Sequence, residues 1–207
     1  GYVDDIRGWD FSHAPDLPGF GDYLNRDNDP QDESAHGTHV AGIIAATTNN
    51  STGIAGIAPD AKIMALRAGM TLLQGGGFLE EDDIAAAILY AVENGAHVIN
   101  MSWGGPERTL IISDALQYAH AKGIVLVASA GNSGEPGLAY PAASNNTLSV
   151  GAIDHSSRLA SFSSTGAALD FVAPGVSVLS TQPNNGYTSR SGTSFSAPQI
   201  SALAALI

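Results

Sequence analysis

The 207-residue chain contains no cysteine, which excludes disulfides and thiolate metal sites but leaves the compartment open, since secreted proteins also occur without cysteine. Basic residues are scarce: eight Lys and Arg face twenty Asp and Glu, for a formal charge of -12. Phosphate backbones are bound by basic patches, so nucleic acid is not an expected partner. No run approaches the ~18 apolar residues of a membrane span, and no membrane contact is expected. No leader pattern opens the chain, and the last helical pattern runs to Ile207 without a cap. The sequence is therefore expected to be a piece cut at both ends.

What is present points to a folded domain. Hydrophobic residues make up 44% and charged residues 14%, a globular rather than a disordered balance. The length suits one domain over 1–207, with an acidic loop region at 1–35 and a core at 36–207. Acidic side chains crowd the loop region, from Asp4 and Asp5 to Asp32 and Glu33. A solvated acidic face and a hard-cation loop are both open readings of them. Val40, Ile43 and Ile44 predict a helix over 36–46. A strand at 61–66 and a Gly75-Gly76-Gly77 loop follow, then a helix carrying Ile84, Ile88 and Val92 that stops at Gly95. Next come a strand at 98–101, a helix ending at Gly123 and a continuous apolar strand at 124–127, of the kind buried on both faces. Strands at 148–152 and 176–180 precede a last helix over 194–207. This alternation predicts an α/β fold of three αβα layers, with a mainly parallel central sheet and right-handed crossovers.

Three segments place reactive groups where loops meet helices: His36-Gly37-Thr38-His39-Val40-Ala41-Gly42, Ala128-Ser129-Ala130-Gly131-Asn132 and Ser191-Gly192-Thr193-Ser194-Phe195-Ser196-Ala197-Pro198. Singly, each reads equally well as a cap or a turn. Together they supply a base, an amide donor and a hydroxyl nucleophile, the three roles of acyl transfer. Ser194 at the start of the last helix is expected to gain from the helix dipole and free backbone N–H groups.

These motifs are similar to the histidine, oxyanion and serine motifs of the subtilase family. The 158-residue spacing of His36 and Ser194 fits, as do the intervening segments NNSTGIAGIAP, VINMSWGG, YPA, SFSSTG and APGVSVLST. The resemblance covers the chain from Asp27 onward. It implies a subtilisin-like fold and a secreted or extracellular serine endopeptidase acting on protein or peptide substrates, with a propeptide or inhibitor as a further partner. His36 matches the general base, Ser194 the nucleophile and Asn132 the oxyanion donor, while His39 matches a structural position. Ser102-Trp103-Gly104 and Gly75-Gly76-Gly77 resemble the two segments that sandwich a substrate backbone. Trp103 is then either a wall for substrate side chains or a core residue, and Ala130 and Gly131 line the primary specificity pocket.

The sequence also departs from the pattern. The family's triad aspartate ends a buried strand in Asp-Thr-Gly or Asp-Ser-Gly, and neither occurs here. Asp5 lacks both the strand and the glycine. GYVDDIRGWDF resembles a segment between that strand and the histidine motif, so the acid is expected upstream of this chain. Phe195 follows the nucleophile where many relatives carry Met, and Gln199 replaces a usual His without an evident reason. Calcium is the implied cofactor: Asp27, Asp29 and Gln31 resemble a calcium loop of thermitase-like members, and Asn50 matches a second loop, with a plain acidic loop as the alternative for each. A binding or scaffold domain that lost catalysis with the aspartate is the rival reading. An esterase is weaker, because no Gly-x-Ser-x-Gly surrounds Ser194.

Overall fold

Residues 4–74 and 76–207 are described by the structure, a computed structural model. In chain order the elements are β1 (Trp9–Asp10), β2 (Gly19–Phe20), α1 (His36–Ala45), β3 (Leu66–Arg67), β4 (Met70–Leu72), β5 (Gly77–Phe78), α2 (Glu81–Glu93) and β6 (Val98–Met101). They continue with α3 (Leu110–Ala121), β7 (Val125–Ser129), β8 (Leu148–Ile153), β9 (Phe171–Pro174), β10 (Val178–Gln182), β11 (Gly186–Arg190) and α4 (Ala197–Ala205).

Alternation along β7 explains the layering. Leu126 and Ala128 point into a core shared with Ile84 and Ile88 of α2 and Leu116 and Ala119 of α3. Val127, on the opposite face, packs with Val150, Ala173 and Ala197, the last of these from α4. A strand covered on both faces can be apolar at every position, which is what 124–127 displays. Burying each such Val or Leu contributes about 1.5–3 kcal/mol. The order β6-β7-β8-β9 is parallel throughout, with helices on both faces. The three-layer α/β architecture with a mainly parallel sheet is thus present.

Several elements differ from the sequence expectation. The strand expected at 61–66 is reduced to β3, which pairs with β1 through Trp9↔Leu66 and Asp10↔Arg67. Residues 61–64 belong to no strand, and Ala65 meets β1 only through its carbonyl, which accepts the Trp9 N–H at 3.1 Å. The small antiparallel sheet β2-β4-β5 escapes a periodicity search because its strands are two or three residues long. The segment at 176–180 becomes the antiparallel hairpin β10–β11. The last helix begins later than Ser194: Thr193–Phe195 form a single 3-10 turn, and α4 opens at Ala197 with proline in its first turn.

Within the acidic stretch Asp4, Asp16, Asp29 and Glu33 are exposed, and Asp10 is the exception. Asp10 is fully buried beside Phe11, with Arg67 Nη1 at 2.5 Å and the Ser12 N–H donating at 2.8 Å. Arg67 reaches Glu33 as well, at 2.8 Å. Burial raises the Asp10 carboxyl above its usual pKa despite those partners.

Candidate active site

Helix α1 starts at His36, and the carboxylate of Asp32 holds that start. Its N-cap, Ala35, takes φ 62° and offers no side-chain cap. Asp32 supplies one instead: its Oδ1 accepts from Ser34 N–H at 2.9 Å and Ala35 N–H at 2.9 Å, and its Oδ2 from Thr38 N–H at 2.7 Å and Thr38 Oγ1 at 2.6 Å. Burial pulls this carboxyl upward, but the hydrogen bonds from Thr38 and Ser34 outweigh it and hold it below the usual range. Asp32 thus fixes the start of the helix that carries His36, a role that composition alone does not distinguish from the other acids of 1–35. Its signal was a position a few residues ahead of an apolar helical pattern.

The His36 ring lies against Phe195, 5.5 Å between centroids, and Phe195 also meets His39 at 4.5 Å. The residue after Ser194 is thereby wedged between two imidazoles. His39 is fully buried, with Nε2 3.2 Å from the Thr188 carbonyl. Burial lowers the pKa of both histidines, and the nearby Arg190 charge lowers both further. The Asp32 charge acts on His36 in the opposite sense, but no carboxylate among the described residues hydrogen-bonds its imidazole.

Ser194 sits in the 3-10 turn with Oγ donating to the Ser102 carbonyl at 3.1 Å, while Ser102 Oγ donates to the Ser194 carbonyl at 2.7 Å. This reciprocal pair ties the end of β6 to the serine turn. Asn100 extends it, donating to Ser102 Oγ at 2.9 Å and accepting from Ser201 Oγ of α4 at 2.8 Å. Asn132 is held from the other side. Its Oδ1 accepts from Thr193 N–H at 2.9 Å and Thr193 Oγ1 at 3.0 Å. With the oxygen committed, the amide NH₂ is the group left to donate. Thr193 Oγ1 also accepts from Gly131 N–H at 3.2 Å, so one buried threonine links the two loops.

His36, Ser194, Asn132, Ser102, Trp103 and Gly104 line one groove, which also takes in Gly76 and Gly131. Gly131 has φ +108°, and a Cβ there would meet Ser164 Oγ at 2.8 Å, so glycine is required. Gly75 lies outside the described residues. Trp103 is half-buried and packs on the α2–α3 core, serving as both lining and core. Ala130 is fully buried, with its N–H donating to the Val150 carbonyl at 2.9 Å. Gln199 acquires an explanation: its Nε2 donates to the carbonyls of Pro174 at 2.6 Å and Phe195 at 2.9 Å, joining β9 to the serine turn.

The expected calcium residues do not assemble a site on their own. Asp27 Oδ1 accepts the Asp29 N–H at 2.8 Å, and Asn50 Oδ1 accepts the Thr52 N–H at 3.1 Å. Gln31 Nε2 turns toward the Asp32 carbonyl, 3.5 Å away. Among the described residues no group of three or more His, Asp or Glu could hold a metal ion. No helix of the described residues is long and apolar enough to cross a membrane.

The family model described as the subtilase family matches residues 16–207. A thermophilic serine proteinase of Bacillus sp. (strain AK1) is 48% identical over 204 residues, covering 97% of this chain and 50% of that protein. Subtilisin DY of Bacillus licheniformis is 46% identical over 85% of this chain and 64% of its own length. Thermitase of Thermoactinomyces vulgaris is 42% identical over 95% of this chain and 70% of its length. Among solved structures, that of the prenylagaramide maturation protease PagA superposes with a TM-score of 0.77 at 35% identity, over 83% of this chain and 63% of that one. The chain spans half to two thirds of most of these relatives.

Proposed function

The chain belongs to the subtilase family, and on that premise we propose that it is the greater part of a serine endopeptidase domain, with Ser194 as nucleophile, His36 as general base and Asn132 as oxyanion donor. One observation carries this reading: the three groups share a groove, and Thr193 fixes the Asn132 amide so that its NH₂ is the free end. In the reaction Ser194 Oγ leaves the Ser102 carbonyl, passes its proton to His36 and attacks the peptide carbon. The oxyanion is stabilised by the Asn132 NH₂ and the Ser194 N–H. His36 returns the proton to the departing amine, and water repeats the sequence on the acyl-enzyme. The burial that lowers the His36 pKa keeps its imidazole neutral and able to accept that proton near neutrality. Substrate backbone lies along Ser102-Trp103-Gly104 and the Gly75–Gly77 segment as an added strand, and Gly131 opens the pocket for the side chain before the cleaved bond.

The acid that orients His36 comes from outside these residues. The same open region that His36 lines is also lined by residues 61–67 and 97–100 and by Ala87, Ile88 and Ala91 of α2, which fits a missing segment there. β3 and β6 each have a single strand partner among the described residues. An apolar strand from outside these residues, ending in the acid, is part of this reading. Structural calcium is part of the same reading, with Asp27, Asp29, Gln31 and Asn50 giving some of the six to eight oxygens the ion takes. Calorimetric titration tests it, since neither heat nor a rise in Tm on adding calcium removes that part of the reading. The setting is secreted or extracellular, the substrates are proteins and peptides, and a propeptide or protein inhibitor fits the same groove.

The test is hydrolysis of an unstructured protein by the full-length chain. Cleavage that disappears in Ser194→Ala and His36→Ala supports the reading. No cleavage by the unsubstituted protein supports the scaffold alternative, which the proteinase relatives do not favour.

A further inference from the structure

We propose that Asn100, backed by Ser201, is a positioning residue for the nucleophile: it sets the direction of the Ser102 hydroxyl, and through it the place of Ser194. This role rests on the proteolytic reading above and adds two residues to its machinery.

In a regular α-helix the Ser194 carbonyl would accept the N–H of residue 198, but that residue is Pro198, which has none. The carbonyl needs a donor from outside its own helix, and Ser102 Oγ supplies one at 2.7 Å. Ser194 Oγ in turn donates to the Ser102 carbonyl at 3.1 Å. During attack that second bond breaks, because Oγ moves to the substrate carbon. The grip on the Ser194 carbonyl then still ties the serine turn to the end of β6. A shift of the turn would displace the Ser194 N–H together with Thr193, which holds the Asn132 amide.

A serine hydroxyl has one proton and can aim it at more than one acceptor. Asn100 removes that freedom. Its Nδ2 donates to Ser102 Oγ at 2.9 Å, which leaves the Ser102 proton for the Ser194 carbonyl. The Asn100 amide is fixed in its turn by Ser201 of α4, whose Oγ donates to Oδ1 at 2.8 Å. The Ala197 carbonyl, in the same helix as Ser201, is the more distant acceptor at 3.2 Å. Donors and acceptors therefore run one way, from Ser201 through Asn100 and Ser102 to Ser194. Ser201 is 3% exposed and Ser102 8%, so water competes little for these bonds.

Asn100→Asp tests the direction with almost no change of shape. A carboxylate only accepts, so it takes the hydroxyl protons of both Ser102 and Ser201 and leaves the Ser194 carbonyl without its donor. In the full-length enzyme, kcat on one internally quenched peptide should fall by about 5- to 20-fold. KM should stay within about twofold, because the Ser102 backbone still meets the substrate. Ser201→Ala should lower kcat by about 2- to 5-fold in the same way. Ser102→Ala, itself slowed, provides the background that separates this role from a merely structural one. There each of the two substitutions should change kcat by less than about twofold, since the hydroxyl they act through is gone. Ser201→Ala removes a single oxygen and keeps this cycle available should Asn100→Asp fail to fold. A kcat left unchanged by either substitution, or effects that multiply with that of Ser102→Ala, overturns the proposal alone. If the unsubstituted enzyme cleaves nothing, the proteolytic reading falls, and this proposal with it.

Discussion

Thr193 gives the Asn132 carboxamide oxygen both its backbone N–H and its hydroxyl, and the amide orientation depends on that pair. Replacing Asn132 by Leu should cut kcat by ~10²–10³ with little change in KM, a range carried over from subtilisin for the loss of one oxyanion donor. Thr193→Val keeps the backbone donor and loses the hydroxyl, so its loss in kcat should be smaller, about 5- to 10-fold. Steady-state kinetics on one peptide checks the order, and an undiminished kcat in Asn132→Leu would remove Asn132 from the mechanism. Phe195 leads to a separate prediction. The three methionines are Met64, Met70 and Met101, none of them next to Ser194, and Met70 and Met101 are buried. Mild peroxide should therefore leave most activity intact, and rapid inactivation would contradict it. His36, Asn132 and Ser194 could be read from the sequence because each sits in a local motif. Thr193 could not, since its role depends on Asn132 in another segment, and Asp32 could not, since the left-handed Ala35 that makes α1 need an outside cap is a backbone feature.

At the scale of elements, α1 depends on a carboxylate outside it. Asp32→Ala removes the acceptor for Ser34, Ala35 and Thr38 and leaves Ala35 in a left-handed conformation without support. The expected cost is about 1–2 kcal/mol, read as a lower Tm or denaturation midpoint, together with reduced activity as His36 loses its fixed place. Unchanged stability would show that the cap is dispensable. The long periodic elements α1, α2, α3, β6, β7 and β8 were legible from hydrophobic spacing. β1, β2, β4 and β5 were not, because two or three residues carry no period; β3 overlaps its expected strand only at Leu66, and α4 starts later than its pattern because the serine turn is 3-10 rather than α.

Across the whole molecule, the buried histidines couple stability to pH. The folded His39 has a pKa below its usual 6.5, so the unfolded chain takes up a proton that the folded one resists. That stabilisation is full above about pH 6.5 and is lost as the pH falls. Asp10 acts in the opposite sense, since its raised carboxyl is relieved by protonation, but nearer the carboxylate range around its usual 3.8. Denaturation midpoints should therefore be lower at about pH 5.5 than at about pH 7.5, and a flat profile would exclude His39 as the cause. The three-layer plan could be read from the strand–helix alternation. That β3 and β6 each keep a single strand partner among the described residues could not, since pairing depends on segments far apart in the chain.

The central claim is that Ser194 is a nucleophile activated through His36. Intact-mass analysis after treatment of the full-length protein with a fluorophosphonate tests it most directly. The account predicts one covalent adduct, mapped to Ser194, that is absent in Ser194→Ala and strongly slowed in His36→Ala. No adduct, or an adduct that persists in Ser194→Ala, would contradict it.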